Sequence, residues 1–260
     1  MKISVSSVCW WRDDRVSVLR KAAGAGFKFV ELLTFPDPEI CNVHGDLRTV
    51  STSQLRRELS DHDLTPAGLH LGAIMTATEA KRRSMTDYCK RAVEVAVELN
   101  CGVIVEGGPD RATEPIEPFM KSLEELVPVF EKTPVRLGLE NHYHNWIQYI
   151  PDYEWIFSRI GSPSVGMTLD TGHFTSAGVD PVEVAGKFAR RVFHVHVKDH
   201  VGTQSVALGT GQTDNIGVVR VLKEAGYDGY LSQEIEVADH SKADQAAAEG
   251  FTYMTKLLRA

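Results

Sequence analysis

Eight short β-rich runs alternate along the chain with longer stretches that have the apolar spacing of helices. The runs are KISVSSV, FKFVELL, TPAGLHL, CGVIVEGG, VRLGLENH, VGMTLDTGH, VFHVHVKD and GYLSQEIE. Helical spacing is clearest where Ala92, Val95, Ala96 and Leu99 recur at i, i+3, i+4 and i+7. Strands that alternate with helices predict a parallel sheet with right-handed crossovers.

The number of strands and the chain length favour a closed sheet over an open one. Eight strand and helix units within 260 residues are typical of a (β/α)₈ TIM barrel. No Gly-x-Gly-x-x-Gly follows the first run, so a dinucleotide-binding doubly wound sheet has no support. No linker or low-complexity segment divides the chain. We therefore expect an α/β fold, a TIM barrel formed as a single domain by residues 1–260.

Helix ends are also indicated. Asp180 followed by Pro181 has the form of an N-cap and first helical position, and Gly226 has the form of a C-cap. Pro128 leaves the end of the helix before the fifth run open, because proline disfavours helix interiors.

Charge, cysteine content and hydropathy exclude several classes of partner. The net charge of −7 argues against nucleic-acid binding, which usually needs a basic surface. Cys9, Cys41, Cys89 and Cys101 include no C-x-x-C pair and predict neither a thiolate zinc site nor a disulfide framework. The N-terminus lacks the features of a signal peptide, and no apolar run approaches the roughly 18–20 residues of a membrane span. We expect a soluble, cytoplasmic protein with no membrane partner.

Polar residues recur on one face of the last four strands. Side chains in a barrel alternate between the interior and the surrounding helices, and active sites lie at the C-terminal strand ends. The polar parity carries Glu140, Asp170, His196 and Glu234 to that end. Three converging carboxylates would repel one another unless a cation neutralised them, although each residue alone also fits a cap or a salt bridge. The pattern predicts one divalent metal ion. Mn²⁺ is the expected ion, and Mg²⁺, Co²⁺ and Zn²⁺ are the alternatives.

The segments LENHYHN, TLDTGH, FHVHVKD and GYDGYLSQE resemble motifs of the sugar phosphate isomerase/epimerase superfamily. Its members have the xylose isomerase-like TIM barrel, which includes the AP endonuclease family 2 domain. The resemblance extends from AGFKFVEL to the last helix. It implies that Glu140, Asp170, His196 and Glu234 bind the ion, that the two glutamates transfer protons on opposite faces of a sugar carbon, and that His173 lies near the substrate. It also implies a homo-oligomer.

Such a site suits proton abstraction next to a carbonyl, through a metal-stabilised enediolate. We expect a sugar isomerase or epimerase that acts on a small sugar or cyclitol. The alternative is a lyase, either an inosose-type dehydratase or a 3-keto-glycoside deglycosidase, acting by β-elimination. Two features favour the lyase somewhat: Gly202 stands where the ketose 3-epimerases have arginine, and His142 supplies an additional base. A non-catalytic sugar-binding subunit is disfavoured because both glutamates are present, and an endonuclease because Glu106 replaces a metal-binding histidine.

Further residues are expected around the substrate. His142 shares the parity of Glu140 and is a candidate acid or base; the alternative is a hydrogen bond to a backbone carbonyl. Lys198 is a candidate substrate contact, with an ion pair to Asp199 or Glu236 as the alternative. His70 and Trp10 are further candidate substrate contacts, and packing in the core is the alternative for Trp10.

Overall fold

The computed structural model describes residues 1–36, 45–74, 76–236 and 239–259. Eight parallel strands form a closed barrel in chain order, because the last strand pairs with the first. The barrel strands are β1 (Lys2–Ser6), β2 (Phe29–Leu33), β3 (Thr65–Ala73), β4 (Val103–Gly107), β5 (Arg136–Glu140), β6 (Val165–Asp170), β7 (Val192–Val197) and β10 (Tyr230–Gln233). The predicted TIM barrel is confirmed, with one strand in each predicted run.

Helices follow the strands and cover the outside of the barrel. They are α1 (Arg15–Gly24), α2 (Thr52–Asp61), α3 (Glu79–Leu99), α4 (Ile116–Phe130), α5 (Ile150–Arg159), α6 (Thr171–Ser176), α7 (Pro181–Phe188), α8 (Asn215–Glu224) and α9 (Ala243–Leu257). A short antiparallel hairpin of β8 (Asp199–Val201) and β9 (Gln204–Val206), which the sequence did not predict, follows β7. No described helix combines the length and the apolar character needed to cross a bilayer.

The predicted helix ends are confirmed. Asp180 caps α7 by accepting a hydrogen bond from the Val182 amide at 2.8 Å, and Pro181 is the first helical residue. Gly226 follows α8 with a φ of +81°, the left-handed conformation that favours glycine. α4 continues past Pro128 to Phe130, since the proline lies in the last turn.

The two faces of the strands differ in chemistry, as the alternation predicted. The outward residues Leu139, Leu169 and Val195 are fully buried under the helices. The interior instead holds small or polar residues such as Ser4, Thr168 and Ser232. Several predicted runs extend beyond their strands: β5 and β6 end at Glu140 and Asp170, whereas Lys198 and Glu234 directly follow the ends of β7 and β10. The chemistry-bearing side chains therefore lie at strand ends or just beyond them.

We expect Gly166→Ala to destabilise the barrel. A Cβ atom at Gly166 would meet the backbone carbonyl oxygen of Arg191 at under 3.0 Å and the Phe193 ring at 2.5 Å. Overpacking of this kind costs about 1–3 kcal/mol of unfolding free energy, or roughly 2–4 °C of Tm for each kcal/mol. Differential scanning calorimetry measures the shift. Gly161→Ala is the control, because no heavy atom lies within 4 Å of its Cβ position; equal Tm values for both variants would contradict the packing account.

The described cysteines are buried free thiols: Cys9, Cys89 and Cys101. Burial raises the pKa of Cys9 and of Cys101 to about 12, so neither thiol is a reactive thiolate near neutral pH. Cys41 lies outside the described residues.

Candidate active site

Four side chains converge at the C-terminal end of the barrel. One potential ligand atom from each of Glu140, Asp170, His196 and Glu234 lies within 4.8 Å of the others. The Nδ1 atom of His196 is 2.6 Å from Glu140 Oε1, 2.9 Å from Glu234 Oε2 and 3.8 Å from Asp170 Oδ2. All four residues are buried. The structure thus brings together the four ligands expected from strand parity.

The barrel register explains this convergence. Asp170 pairs directly with His196 across β6 and β7, and Ser232 pairs with His196 across β7 and β10. Asn141 then fixes the end of β6, because its side chain donates to the Asp170 carbonyl oxygen and accepts from the Asp170 amide, both at 2.8 Å. Sequence reasoning missed Asn141, although it lies inside the LENHYHN segment.

The carboxyl group of Asp170 divides its two oxygens between two roles. Oδ1 caps α6 by accepting the His173 amide hydrogen bond at 2.7 Å. Oδ2 is buried and accepts no hydrogen bond; Lys198 Nζ lies 3.5 Å away. Burial raises the pKa of Asp170 to about 7, and Glu140 and Glu234 add to the shift while Lys198 opposes it. A buried carboxylate oxygen without a hydrogen-bond donor, beside two further carboxylates, is suited to a cation.

The other three residues carry charges that stabilise one another. Burial opposes ionisation of Glu140 and Glu234, but His196 lowers the pKa of both, to about 2 for Glu234 and well below the ordinary range for Glu140. Burial also opposes charge on His196, yet Glu234, Glu31 and Glu140 raise its pKa well above the usual range. Three carboxylates and one imidazole form a donor set that fits a divalent ion such as Mn²⁺, Mg²⁺, Co²⁺ or Zn²⁺.

Glu31 is a further member of the site that sequence reasoning missed. It lies on β2 with no exposed surface, and its carboxylate is 2.6 Å from His194 Nε2 and 2.9 Å from His196 Nε2. Glu31, His70 and His196 also bring potential ligand atoms together, so they form a second candidate group that shares His196 with the first. FKFVELL places this glutamate on its inward parity, but β2 is not among the last four strands, where the polar residues recur.

A cavity of about 390 Å³, whose lining includes Glu140 and Glu234, is large enough for a small sugar. Val8, Leu33 and Phe35 contribute an apolar wall. The polar lining consists of His70, Glu140, His142, Asn145, Lys198, Glu234 and Glu236. A ligand in this cavity would contact both proposed proton-transfer carboxylates.

His142 and His173 lie next to each other, with ring centroids 3.9 Å apart. His142 lines the cavity, and its Nδ1 lies 2.8 Å from the Tyr143 carbonyl oxygen, so the backbone hydrogen bond considered as its alternative is present. Because a carbonyl can only accept, Nδ1 carries the hydrogen and Nε2 of the neutral ring keeps a lone pair. His173 is buried, and burial together with Lys198 lowers its pKa well below the usual range.

Lys198 lies in the cavity wall and is almost fully buried. Its Nζ atom is 3.2 Å from Glu234 Oε2, 3.4 Å from Glu236 Oε1 and 3.1 Å from His173 Nε2. Of the two ion pairs considered from the sequence, the one with Glu236 is formed. Asp199 instead accepts hydrogen bonds from the backbone amides of Gly209, Gly211 and Thr213.

The structure separates the two remaining candidates. His70 lines the cavity, with Nε2 3.3 Å from Glu140 Oε2. Trp10 is fully buried, and its indole N–H donates to Asp244 in α9 at 2.7 Å. The described lining of the cavity does not include Trp10, so packing is the role that its contacts support.

Comparison with known proteins identifies the family of this chain. Residues 19–257 match the model described as xylose isomerase-like TIM barrel. The chain is 23% identical over 299 residues to an inosose dehydratase of Clostridium tetani, covering 98% of this chain and 94% of that protein. Its fold is similar to that of the IolI protein with a binding zinc atom (TM-score 0.80, 21% identity, 99% and 98% coverage). It is also similar to a D-tagatose 3-epimerase-like protein (TM-score 0.76, 23% identity, 98% and 99% coverage). Since the family model spans nearly the whole chain, the protein belongs to the xylose isomerase-like TIM barrel family.

Proposed function

We propose that the protein is a divalent-metal-dependent sugar isomerase or epimerase that transfers a proton at a carbon next to a carbonyl group. The observation that carries the proposal is the pair Glu140 and Glu234, two carboxylates that line one cavity and lie 2.6 and 2.9 Å from His196 Nδ1. Relatives in the family include a sugar epimerase-like protein and an inosose dehydratase, which supports this class of substrate.

When bound by Glu140, Asp170, His196 and Glu234, a divalent ion would polarise the substrate carbonyl and stabilise an enediolate. One glutamate, in its ionised form, removes the proton as a general base, and the other, in its protonated form, returns a proton of its own as a general acid, so that the two carboxyl groups exchange protonation states in each turnover. Return to the opposite face of the same carbon gives epimerisation, whereas return to the neighbouring carbon gives isomerisation. Lys198, 3.2 Å from Glu234, keeps that carboxylate ionised until it accepts the proton.

A lyase remains the second candidate, and His142 is the observation that favours it. Its Nε2 lone pair is left free in a cavity that also holds both glutamates. That lone pair could accept the proton from the carbon next to the carbonyl, and the protonated His142 that results could donate a proton to the leaving hydroxyl or aglycone. Gly202, where the ketose 3-epimerases have arginine, is exposed in the β8–β9 turn and contributes nothing to the cavity lining.

The charges of the cavity support an unphosphorylated substrate. Lys198 is the one lysine in the described lining, which includes no arginine, and it is already surrounded by Asp170, Glu234 and Glu236. A phosphate group would therefore meet carboxylates, with no lysine or arginine of the described lining free to pair with it. A neutral sugar or cyclitol avoids this repulsion.

The experiment that tests the function is turnover in D₂O followed by NMR. Metal-reconstituted protein is incubated with ketohexoses, inososes and 3-keto glucosides, with Glu234→Gln as the inactive control. Deuterium at one carbon of an intact sugar, lost in the variant, is the result expected for an isomerase or epimerase. Release of water or an aglycone would move the protein to the lyases. Metal binding without turnover of any of these substrates would contradict the proposal.

A further inference from the structure

Both ring nitrogens of His196 are engaged by carboxylates that come from opposite sides. Nδ1 faces Glu140 and Glu234 at 2.6 and 2.9 Å. Nε2 faces the two oxygens of Glu31 at 2.9 and 3.1 Å. The ring therefore connects the proposed metal site with a buried carboxylate deeper in the barrel.

We propose that Glu31 is a positioning residue that holds the hydrogen of His196 on Nε2, so that the Nδ1 lone pair faces the metal ion. The inference rests on the proposed metal site. A neutral imidazole carries one hydrogen, and the nitrogen that binds a metal must be the one without it. If Glu31 did not accept at Nε2, the carboxylates of Glu140 and Glu234 would attract the hydrogen to Nδ1. That tautomer would block the ligand atom.

Glu31 is itself fixed from below. His194 Nε2 lies 2.6 Å from Glu31 Oε2, and neither side chain is exposed. His194, Glu31 and His196 thus form a chain that ends at the proposed ligand atom. Carboxylates that orient a metal-bound histidine in this way typically contribute 10- to 100-fold to metal affinity.

A second ion held by Glu31, His70 and His196 is the competing interpretation of the same contacts. It would need His196 to bind one ion through each nitrogen, which leaves no ring hydrogen at all. The positioning role needs only the ordinary neutral tautomer and is favoured for that reason.

The test compares Glu31→Gln with Glu106→Gln. Glu106 is an equally buried glutamate whose Oε1 accepts a hydrogen bond from the Ile74 amide, and it contacts none of the four proposed ligands. Mn²⁺ affinity is measured by chelator competition, with the stoichiometry from metal analysis. We expect one ion per chain in the wild-type protein, a 10- to 100-fold weaker affinity for Glu31→Gln and less than about a threefold change for Glu106→Gln.

A second readout needs no variant. In ¹⁵N-histidine NMR spectra of the Zn²⁺-loaded wild-type protein, His196 is expected to carry its hydrogen on Nε2 and to coordinate through Nδ1. Coordination through Nε2, two ions per chain, or equal affinities of the two variants would each overturn the positioning role while leaving a metal enzyme. A wild-type protein that binds no divalent ion would overturn the proposed function as well.

Discussion

Glu234→Gln is expected to lower kcat/KM by about 10²–10⁴-fold, the usual contribution of a general acid or base. The variant keeps the size of the side chain but removes the charge that can accept a proton. It also weakens one of the three carboxylate ligands proposed for the ion. Glu140→Gln is expected to have a loss of the same order, because the proposal assigns one proton transfer to each glutamate.

The measurement is the steady-state rate with the substrate identified in D₂O, at saturating Mn²⁺ so that a weaker metal affinity does not limit the rate. Glu106→Gln is the matched control, since Glu106 is buried on the outward side of β4 and does not line the cavity. If a variant that lacks one glutamate still exchanges with solvent the proton on one face of the carbon but not the proton on the other face, such one-sided exchange would support one base on each face. Activity within tenfold of wild type for Glu234→Gln would contradict the assignment.

Removal of divalent ions is expected to abolish turnover and to lower Tm, with both restored by Mn²⁺. A ligand present at 100 times its Kd stabilises the folded state by about 2.7 kcal/mol. For a chain of this size that corresponds to roughly 5–11 °C of Tm. Chelation followed by calorimetry and activity assays tests the expectation. Full activity in protein shown by metal analysis to be free of divalent ions would contradict it.

The affinity of the site for Mn²⁺ is expected to depend on pH. Without an ion, nearby carboxylates raise the pKa of His196 well above its usual value, and burial raises the pKa of Asp170 to about 7. Metal binding must displace these protons, so the affinity for Mn²⁺ is expected to increase with pH through the neutral range. An affinity that is constant or that decreases from about pH 6 to pH 8 would show that these groups do not compete with the ion.

The alternation of eight strand runs with helices predicted the barrel. Strand parity predicted the convergence of Glu140, Asp170, His196 and Glu234, because parallel strands place residues of like parity at one rim. The same rule extends to β2, where Glu31 shares the inward parity. Sequence reasoning missed Glu31 because its strand neighbours on that face, Phe29 and Leu33, are apolar, so the run has no polar pattern. Its partners His194 and His196 lie more than 160 residues away in sequence.

The contacts of Trp10 and Lys198 depend on local backbone geometry, which strand parity cannot predict. Trp10 lies near the C-terminal end of β1, but the 3₁₀ turn at Ser7–Trp10 directs its indole toward Asp244 in α9. The sequence offered Lys198 two candidate acidic partners, Asp199 and Glu236. The pair with Glu236 forms because the amides of the loop after β9 already occupy Asp199.

The most direct test of the metal site is anomalous X-ray diffraction from crystals of the Mn²⁺-reconstituted protein. The expected result is a single peak enclosed by carboxylate oxygens of Glu140, Asp170 and Glu234 and by Nδ1 of His196. A peak among Glu31, His70 and Nε2 of His196 instead, or no peak at the end of the barrel, would contradict it.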